Sequence, residues 1–462
     1  MSSPESTAEV SPLDRARAKA YWRLLPLLFL CYVIAYVDRN NVGLAKLKMI
    51  DDLPAFNDEV IGFGAGVCFF VGYLLLEIPG TLIVERWSAR KWICRIMITW
   101  GVIASFTAFV KVPWHFYGIR FLLGLAEAGF FPGVIVYLTH WFPNRDRAKA
   151  LSWFMIATPI AQFISPRISY YLLRIGTDET IGDTIVHHPM IMGLRGWQWM
   201  YIGWGIPAVI LGFVVLFFLT DRPGQAGWLS PEEREALEAQ LALEKAQRKA
   251  KGGHMSLLEA FSNPKVLLLT LAYFFVVTGN YGYEIFLPSI LKGDYKLSDS
   301  ALTWLLMIPP VGSLVGQLFV GWNSDRTKER RLHAAIPILL ASAGLALSLI
   351  RGLPLPVTIV LFTVVAFGLK AYLPAFWSLP SLFLTEAAAA GSIGLINSVG
   401  NLGGAVGPTL LGMIKNRTGS FLPGILFLSV SVAMSAIVII FLGLGKRDTG
   451  KPAVADPLAE AV

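Results

Sequence analysis

Twelve apolar runs set the terms on which this chain can fold. They lie at about residues 22–45, 59–83, 92–111, 113–138, 147–174, 198–219, 265–290, 299–322, 332–350, 354–384, 391–414 and 421–444. Crossing a bilayer as a helix takes about 20 residues, and these runs have that length. Inside lipid every backbone polar group must be bonded within the protein, so long apolar runs of this kind are helices. The fourth, fifth and tenth are longer than needed, which predicts tilt or ends projecting beyond the lipid. Only 15% of residues are charged and 55% are hydrophobic, against about 25% charged in a soluble domain. The expected fold class is an all-α polytopic membrane protein with twelve transmembrane helices.

Orientation follows from the loops. Arg15, Arg17, Lys19 and Arg23 precede the first run; Arg86, Arg90, Lys91 and Arg95 follow the second; Arg145, Arg147 and Lys149 follow the fourth; Arg326, Lys328, Arg330 and Arg331 follow the eighth. The positive-inside rule puts these loops, and both termini, on the cytoplasmic side. The opposite loops carry Lys46, Lys48, Lys292, Lys296, Lys415 and Arg417, more dispersed and mixed with acids. The net charge of +8 is therefore orientation charge, and no nucleic-acid partner is expected. A polar N-terminal tail without a small-residue cleavage site argues against a signal peptide. Cys31, Cys68 and Cys94 lie in or beside apolar runs and give neither a disulfide framework nor a metal spacing.

The expected organisation is a cytoplasmic tail (1–21), a six-helix bundle (22–219), a cytoplasmic linker (220–264), a second six-helix bundle (265–444) and a C-terminal tail (445–462). Within the linker, Ser230 and Pro231 open a surface helix with acids in its first turn and bases near its end, complementing the helix dipole. The bundles repeat. Gly80-T-L-I-V-Glu85-Arg86-W-S-A-Arg90-Lys91 follows the second run, and Gly321-W-N-S-Asp325-Arg326-T-K-E-Arg330-Arg331 follows the eighth. Internal repeats across a central linker mark secondary transporters, whose site lies between the repeats near the bilayer midplane.

With these loops the chain resembles the major facilitator superfamily, and within it the anion:cation symporter branch. The resemblance spans nearly the whole chain. It rests on Y-V-D-R-N-N-V-G-L-A (36–45), R-F-L-L-G-L-A-E-A-G-F-F-P-G (120–133), F-W-S-L-P (376–380), I-N-S-V-G-N-L-G-G-A-V-G-P (396–408) and D-R-P-G-Q-A-G-W-L (221–229). It implies two pseudo-symmetric six-helix bundles around a central cavity that opens to alternate sides. It also implies transport of organic anions such as sugar acids, tartrate or phthalate, mostly with protons.

The charges inside the runs are the candidate chemistry. Asp38 and Arg39 stand side by side in the first run. A charge at membrane depth costs about 2.5–3.5 kcal/mol even on the lenient insertion scale and usually marks an ion or substrate path. Arg120 and Glu127 are seven apart on the fourth run, hence on one helix face. The apolar surroundings of Glu127 disfavour its charged form, and a carboxyl that can be neutral at physiological pH is what proton coupling needs. A structural Glu127–Arg120 pair is the competing reading. Arg39 and Arg120 are candidate anion clamps, because guanidinium takes carboxylate through paired hydrogen bonds and stays charged. The resemblance implies proton handling at the positions of Asp38 and Glu127 and substrate contact at both arginines. One scheme follows: protonating Asp38 loosens Arg39, which then engages substrate.

Further candidate cavity residues are Tyr36, Tyr73, Gln162, Asn280, Lys370, Trp377, Ser378, Asn397 and Asn401. Trp377 and Ser378 match the family motif, whereas Lys370, Glu284 and Arg167 depart from it. Lys370 adds a cation suited to a second carboxylate, or snorkels to the surface. Glu284 is a second proton site, a barrier to highly charged anions, a partner for Lys370, or a residue of the outer mouth. Arg167 either adds charge to the path or lies at the outer end of its helix. Glu77, Gly80, Glu85, Arg86, Arg90, Asp325, Arg326 and Arg330 form a candidate gating latch, which in the superfamily holds the outward-open state. The expected function is proton symport of an organic carboxylate at the bacterial inner membrane by a monomer, with no cofactor, no metal and no enzymatic activity. An exchanger or uniporter and a transporter-like anion sensor are the alternatives.

Overall fold

A computed structural model describes residues 11–181, 184–250, 263–382 and 386–442. The first half contains α1 (Pro12–Asp52), α2 (Asp58–Phe63), α3 (Phe69–Arg86), α4 (Ala89–Phe106), α5 (Pro113–Glu127), α6 (Phe130–Thr139), α7 (Asn144–Met155), α8 (Ala157–Leu173) and α9 (Gly196–Phe218). After α10 (Pro231–Ala250) come α11 (Pro264–Tyr295), α12 (Asp299–Leu305), α13 (Ile308–Thr327), α14 (Arg331–Leu347), α15 (Leu355–Ala371), α16 (Leu373–Ser378), α17 (Glu386–Gly400), α18 (Gly403–Thr418) and α19 (Leu422–Phe441). Twelve crossings result, because several pairs act as one span. These are α2 with α3 through a π turn at Gly64–Cys68, α5 with α6, α7 with α8, α12 with α13, α15 with α16, and α17 with α18. A short hairpin of β1 (Asp178–Ile181) and β2 (Thr184–His187) joins α8 to α9. Part of the expected N-terminal tail (1–10), part of the linker (251–262) and the expected C-terminal tail (within 443–462) lie outside the described residues, and residues 12–21 of the expected N-terminal tail form the start of α1.

The three overlong runs are each interrupted. The fourth breaks directly after Glu127: Ala128 is extended and Gly129 takes φ 83°, a left-handed conformation that glycine adopts without steric cost. The fifth is interrupted more mildly at Ile156 and the tenth at Tyr372, where the backbone keeps helical dihedrals. A break leaves backbone groups without helical partners, which at membrane depth is tolerated only where protein or a wet cavity covers them.

Each bundle closes on apolar and small residues. In the first, α4 packs on α9, α3 on α5, and α1 on α8 and α9; in the second, α15 packs on α13 and α14, α19 on α14, and α11 on α18 and α19. The halves meet mainly at the face opposite the linker, hereafter the far face. There α2 and the π turn lie against α18, the far part of α1 against α11, and α8 against α12 and α13. Glycine lets the backbones touch: a Cβ on Gly62 would sit 2.4 Å from the Pro408 carbonyl oxygen. Polar bonds reinforce this junction. Lys48 pairs with Asp299 at 2.8 Å, Asn416 donates to Glu59 at 2.7 Å, and Arg167 lies over the Trp304 ring. Lys46, with no exposed surface, pairs with Asp58 at 3.0 Å and sits 3.5 Å from the Phe286 ring centroid. At the linker face α10 docks on the start of α1 through Lys19–Glu233 at 2.7 Å and Arg15–Glu233 at 3.6 Å.

Candidate functional site

A cavity lies between the halves near mid-membrane. Tyr32, Tyr36 and Arg39 of α1, Tyr73 of α3 and Glu127 of α5 line one side. Asn280 and Tyr281 of α11, Lys370 of α15, Trp377 of α16, and Asn397 and Asn401 line the other. Tyr36 and Arg39 share the cavity because they are one helical turn apart.

Arg39 forms an ion pair with Glu127 and donates to the Tyr281 hydroxyl at 2.8 Å. Its guanidinium also lies over the Phe69 and Tyr73 rings. Glu127 is buried at the last position of α5, and its carboxylate meets Arg39 of α1. The expected alternative of a Glu127–Arg120 pair is therefore not what forms. Arg120 is only 2% exposed, lies inside the first bundle against the Phe116 and Tyr201 rings, and donates to the Tyr201 hydroxyl at 3.2 Å. It does not line the central cavity.

Asp38 points into the same interior. Its Oδ2 accepts from Trp100 Nε1 at 2.6 Å, and Arg120, Asn41 and Arg39 are its further polar neighbours. Among the described residues no ion pair joins Asp38 to Arg39. Neighbours one residue apart on a helix point about 100° apart, so the two side chains face different surroundings. Arg39 faces the cavity and Glu127, while Asp38 faces Arg120.

Across the cavity a second buried acid–base pair stands opposite the first. Lys370 Nζ lies 2.9 Å from Glu284 and donates to the Tyr36 hydroxyl at 2.9 Å. Tyr36 in turn donates to Glu284 at 2.9 and 3.1 Å. Lys370 is 8% exposed and does not snorkel. Asn280, one turn before Glu284, has a buried Oδ1 that accepts no hydrogen bond. Gln162 lines an adjoining cavity together with Asn280, Glu284 and Lys370. Trp377 packs on Tyr273 at 5.0 Å between centroids, whereas the Ser378 hydroxyl bonds back to the Ala375 carbonyl. Ser378 is not among the central cavity's lining residues. Arg167 lies at the far face, over Tyr170, Tyr171 and Trp304, away from the path.

Among the described residues, the candidate latch residues have no partner in the opposite half, with one exception. Arg330 pairs with Asp325 at 2.6 Å and also bonds Ser324. Arg326 lies over the Trp322 ring. Gly80 packs against Trp92 and Gly129. Arg90 goes to Asp221, which accepts from its backbone N–H at 2.9 Å and from the Ser88 hydroxyl at 2.7 Å. The side chains of Glu85 and Arg86 lie outside the described part of the structure. Glu77 is the exception: its Oε1 accepts from Asn397 at 2.7 Å, across the halves.

Four participants went unassigned in the sequence. Trp100, Tyr281 and Asn41 carry no local signal, since an apolar run does not reveal which of its aromatic or amide groups meets a charge. Asp221 stands in the D-R-P-G motif that opens the linker, and that motif was the signal available.

The model of the Major Facilitator Superfamily matches residues 28–408. The chain is 42% identical over 436 residues to a protein of Agrobacterium vitis named "Putative tartrate transporter", covering 94% of this chain and 96% of that protein. It is 34% identical to the inner membrane transport protein RhmT of Escherichia coli (strain K12), covering 94% and 96% respectively. Among solved structures it resembles the inward open xylose transporter XylE of E. coli, with a TM-score of 0.71 at 13% identity, over 93% of this chain and 98% of that one. A breadth of match covering both halves, the linker and the broken helices leaves one conclusion: the chain is a membrane transporter of the Major Facilitator Superfamily.

Proposed function

We propose that this protein imports an organic carboxylate by proton symport across the bacterial inner membrane, with both termini in the cytoplasm. The observation that carries the reading is the Arg39–Glu127 pair inside the cavity between the halves. A guanidinium held by a carboxylate is a closed anion site. Protonating Glu127 removes its charge, and Arg39 is then free to take a substrate carboxylate in a bidentate contact. Proton and anion thus favour one another's binding, which is coupling in the thermodynamic sense. The names of the A. vitis relatives support a carboxylate substrate.

Asp38 tunes this centre from behind. It and Arg120 form a charged layer one residue deeper along α1, beside the layer that meets substrate. Glu127 carries the coupled proton in this reading, with Asp38 and Arg120 as positioning groups and Arg39 as the substrate ligand.

The test uses lightly buffered, de-energised cells expressing the protein. Hexonates, tartrate, phthalate, short monocarboxylates and aromatic acids are added singly while external pH is recorded. Alkalinisation with at least one acid is expected, and Arg39→Ala should abolish it. Entry of labelled acid without any pH change would overturn proton symport in favour of exchange or uniport.

A further inference from the structure

We infer that Glu284, Lys370 and Tyr36 form a second proton-coupled carboxylate half-site, so that the carrier moves a hydroxylated dicarboxylate together with two protons. The inference rests on the proposed function and extends it to substrate class and stoichiometry.

The argument begins with the repeat. The two bundles place the first crossing in correspondence with the seventh and the fourth with the tenth. Arg39 lies on the first and Glu127 on the fourth, at the last residue before its break. Glu284 lies on the seventh and Lys370 on the tenth, at the penultimate residue of α15 before the break at Tyr372. The same architectural positions thus hold an acid–base pair in each half, with acid and base exchanged between the crossings.

The two pairs adjoin. Tyr36 is bonded to both Glu284 and Lys370, and Arg39 is one turn further along the same helix. Such neighbours have Cβ atoms about 5–6 Å apart, so two carboxylates of one short molecule can reach both cations. Lys370 and Asn280 line the central cavity itself. The buried Oδ1 of Asn280, unbonded among the described residues, is an acceptor for a substrate hydroxyl. An unsatisfied buried acceptor is costly in a folded protein, and a ligand hydroxyl would satisfy it.

Charge balance gives the stoichiometry. Without substrate, each cation is neutralised by its own carboxylate. Bringing a dianion into this buried space adds two negative charges, and uncompensated buried charge is expensive. Protonating Glu127 and Glu284 cancels both and frees both cations, so the loaded cavity is neutral again. Among the described residues, Lys370 is the charged group facing Glu284; its other titratable neighbours are Tyr32, Tyr36, Tyr281, Tyr283 and Tyr372. All five are phenols, which carry no charge for a proton to cancel, so the charge balance places the second proton on Glu284.

The experiment uses the purified full-length protein in proteoliposomes, with labelled tartrate as the dicarboxylate probe and labelled glycerate as the monocarboxylate. Accumulation at equilibrium is measured against an imposed pH gradient with the membrane potential clamped at zero. Two protons per tartrate give about 100-fold accumulation per pH unit, and one gives about tenfold. The wild type should follow the 100-fold line with tartrate, and an imposed potential alone should not drive uptake. Glu284→Gln should drop tartrate to the tenfold line and make its uptake sensitive to potential, which a merely structural role would not do. The double variant Glu284→Gln with Lys370→Met removes the pair without stranding a charge. It should raise half-saturation for tartrate about 10- to 100-fold, by a larger factor than for glycerate. A wild type on the tenfold line for tartrate overturns the second half-site and leaves the symport reading standing, as does an unchanged slope in Glu284→Gln. Carboxylate uptake that is indifferent to the pH gradient overturns both.

Discussion

Arg39 is bonded to Glu127, which lies 88 residues away on another helix, and its own neighbour Asp38 is bonded to Trp100 instead. Two adjacent charges on one helix are thereby divided between two environments: a cavity that substrate can enter and an interior that it cannot.

This division predicts different outcomes at the two carboxylates. Glu127→Gln leaves Arg39 without its carboxylate partner, so the anion should still bind and exchange while accumulation falls, to about tenfold per pH unit for a dicarboxylate and to near the equilibrium ratio for a monocarboxylate. The pH dependence of half-saturation should flatten as well. Counterflow and net uptake, measured side by side on the same vesicles, separate these effects.

The arginines should also differ. Arg39→Ala should abolish transport with little change in thermal stability, because the Glu127 carboxylate it leaves lines the cavity and can be neutralised there by a proton. Arg120→Ala should cost stability as well, by about 3–5 kcal/mol, since it strands a buried carboxylate and opens a void. Thermal unfolding in detergent, paired with uptake, checks the contrast. Equal stability of the two variants would place Arg120 nearer solvent than its 2% exposure indicates.

The far-face junction is closed by backbone proximity at glycine. Gly62→Ala puts a Cβ 2.4 Å from the Pro408 carbonyl oxygen, which forces the halves apart there at a cost of about 1–3 kcal/mol. The carrier should shift toward its outward-open state. A shift of about 1 kcal/mol changes that population about fivefold. Labelling of a cysteine placed at Thr409, buried beside this contact, should rise accordingly from the far face in a variant lacking Cys31, Cys68 and Cys94.

At the linker face, Lys19 and the Ser230 backbone N–H hold the Glu233 carboxyl below its usual range. A carboxyl lowered in the docked state stabilises docking fully above its free pKa, about 4.3. That contribution is lost as pH falls through the lowered value. Docking of α10 on α1 should thus be constant at neutral pH and weaken only in strong acid. Glu233→Gln should reproduce the weakened state at pH 7. Hydrogen exchange along residues 231–247 reads both.

Much of the architecture was legible in the sequence because its causes are local. Apolar length sets the spans, basic loops imply their orientation, and the glycine–acid–arginine repeat announces two halves. The presence of Asp38, Arg39, Glu127, Glu284 and Lys370 inside apolar runs also marks the site, since such charges are expensive wherever the helices go. The three overlong spans showed excess length but not its form. Tilt and a break satisfy the same count of residues, and only the Gly129 conformation and its packing against Gly80 and Trp92 decide for a break.

Pairing was beyond the sequence. Spacing placed Arg120 and Glu127 on one face, yet Glu127 pairs with Arg39 of another helix. Adjacency joined Asp38 to Arg39, yet helix rotation sends them to different neighbours. The sequence alone determined which charges must be buried in the membrane, because that follows from composition within a span. Which charge meets which was decided by the tertiary structure. It depends on the rotation and axial offset of helices distant in sequence, quantities fixed by packing across both bundles.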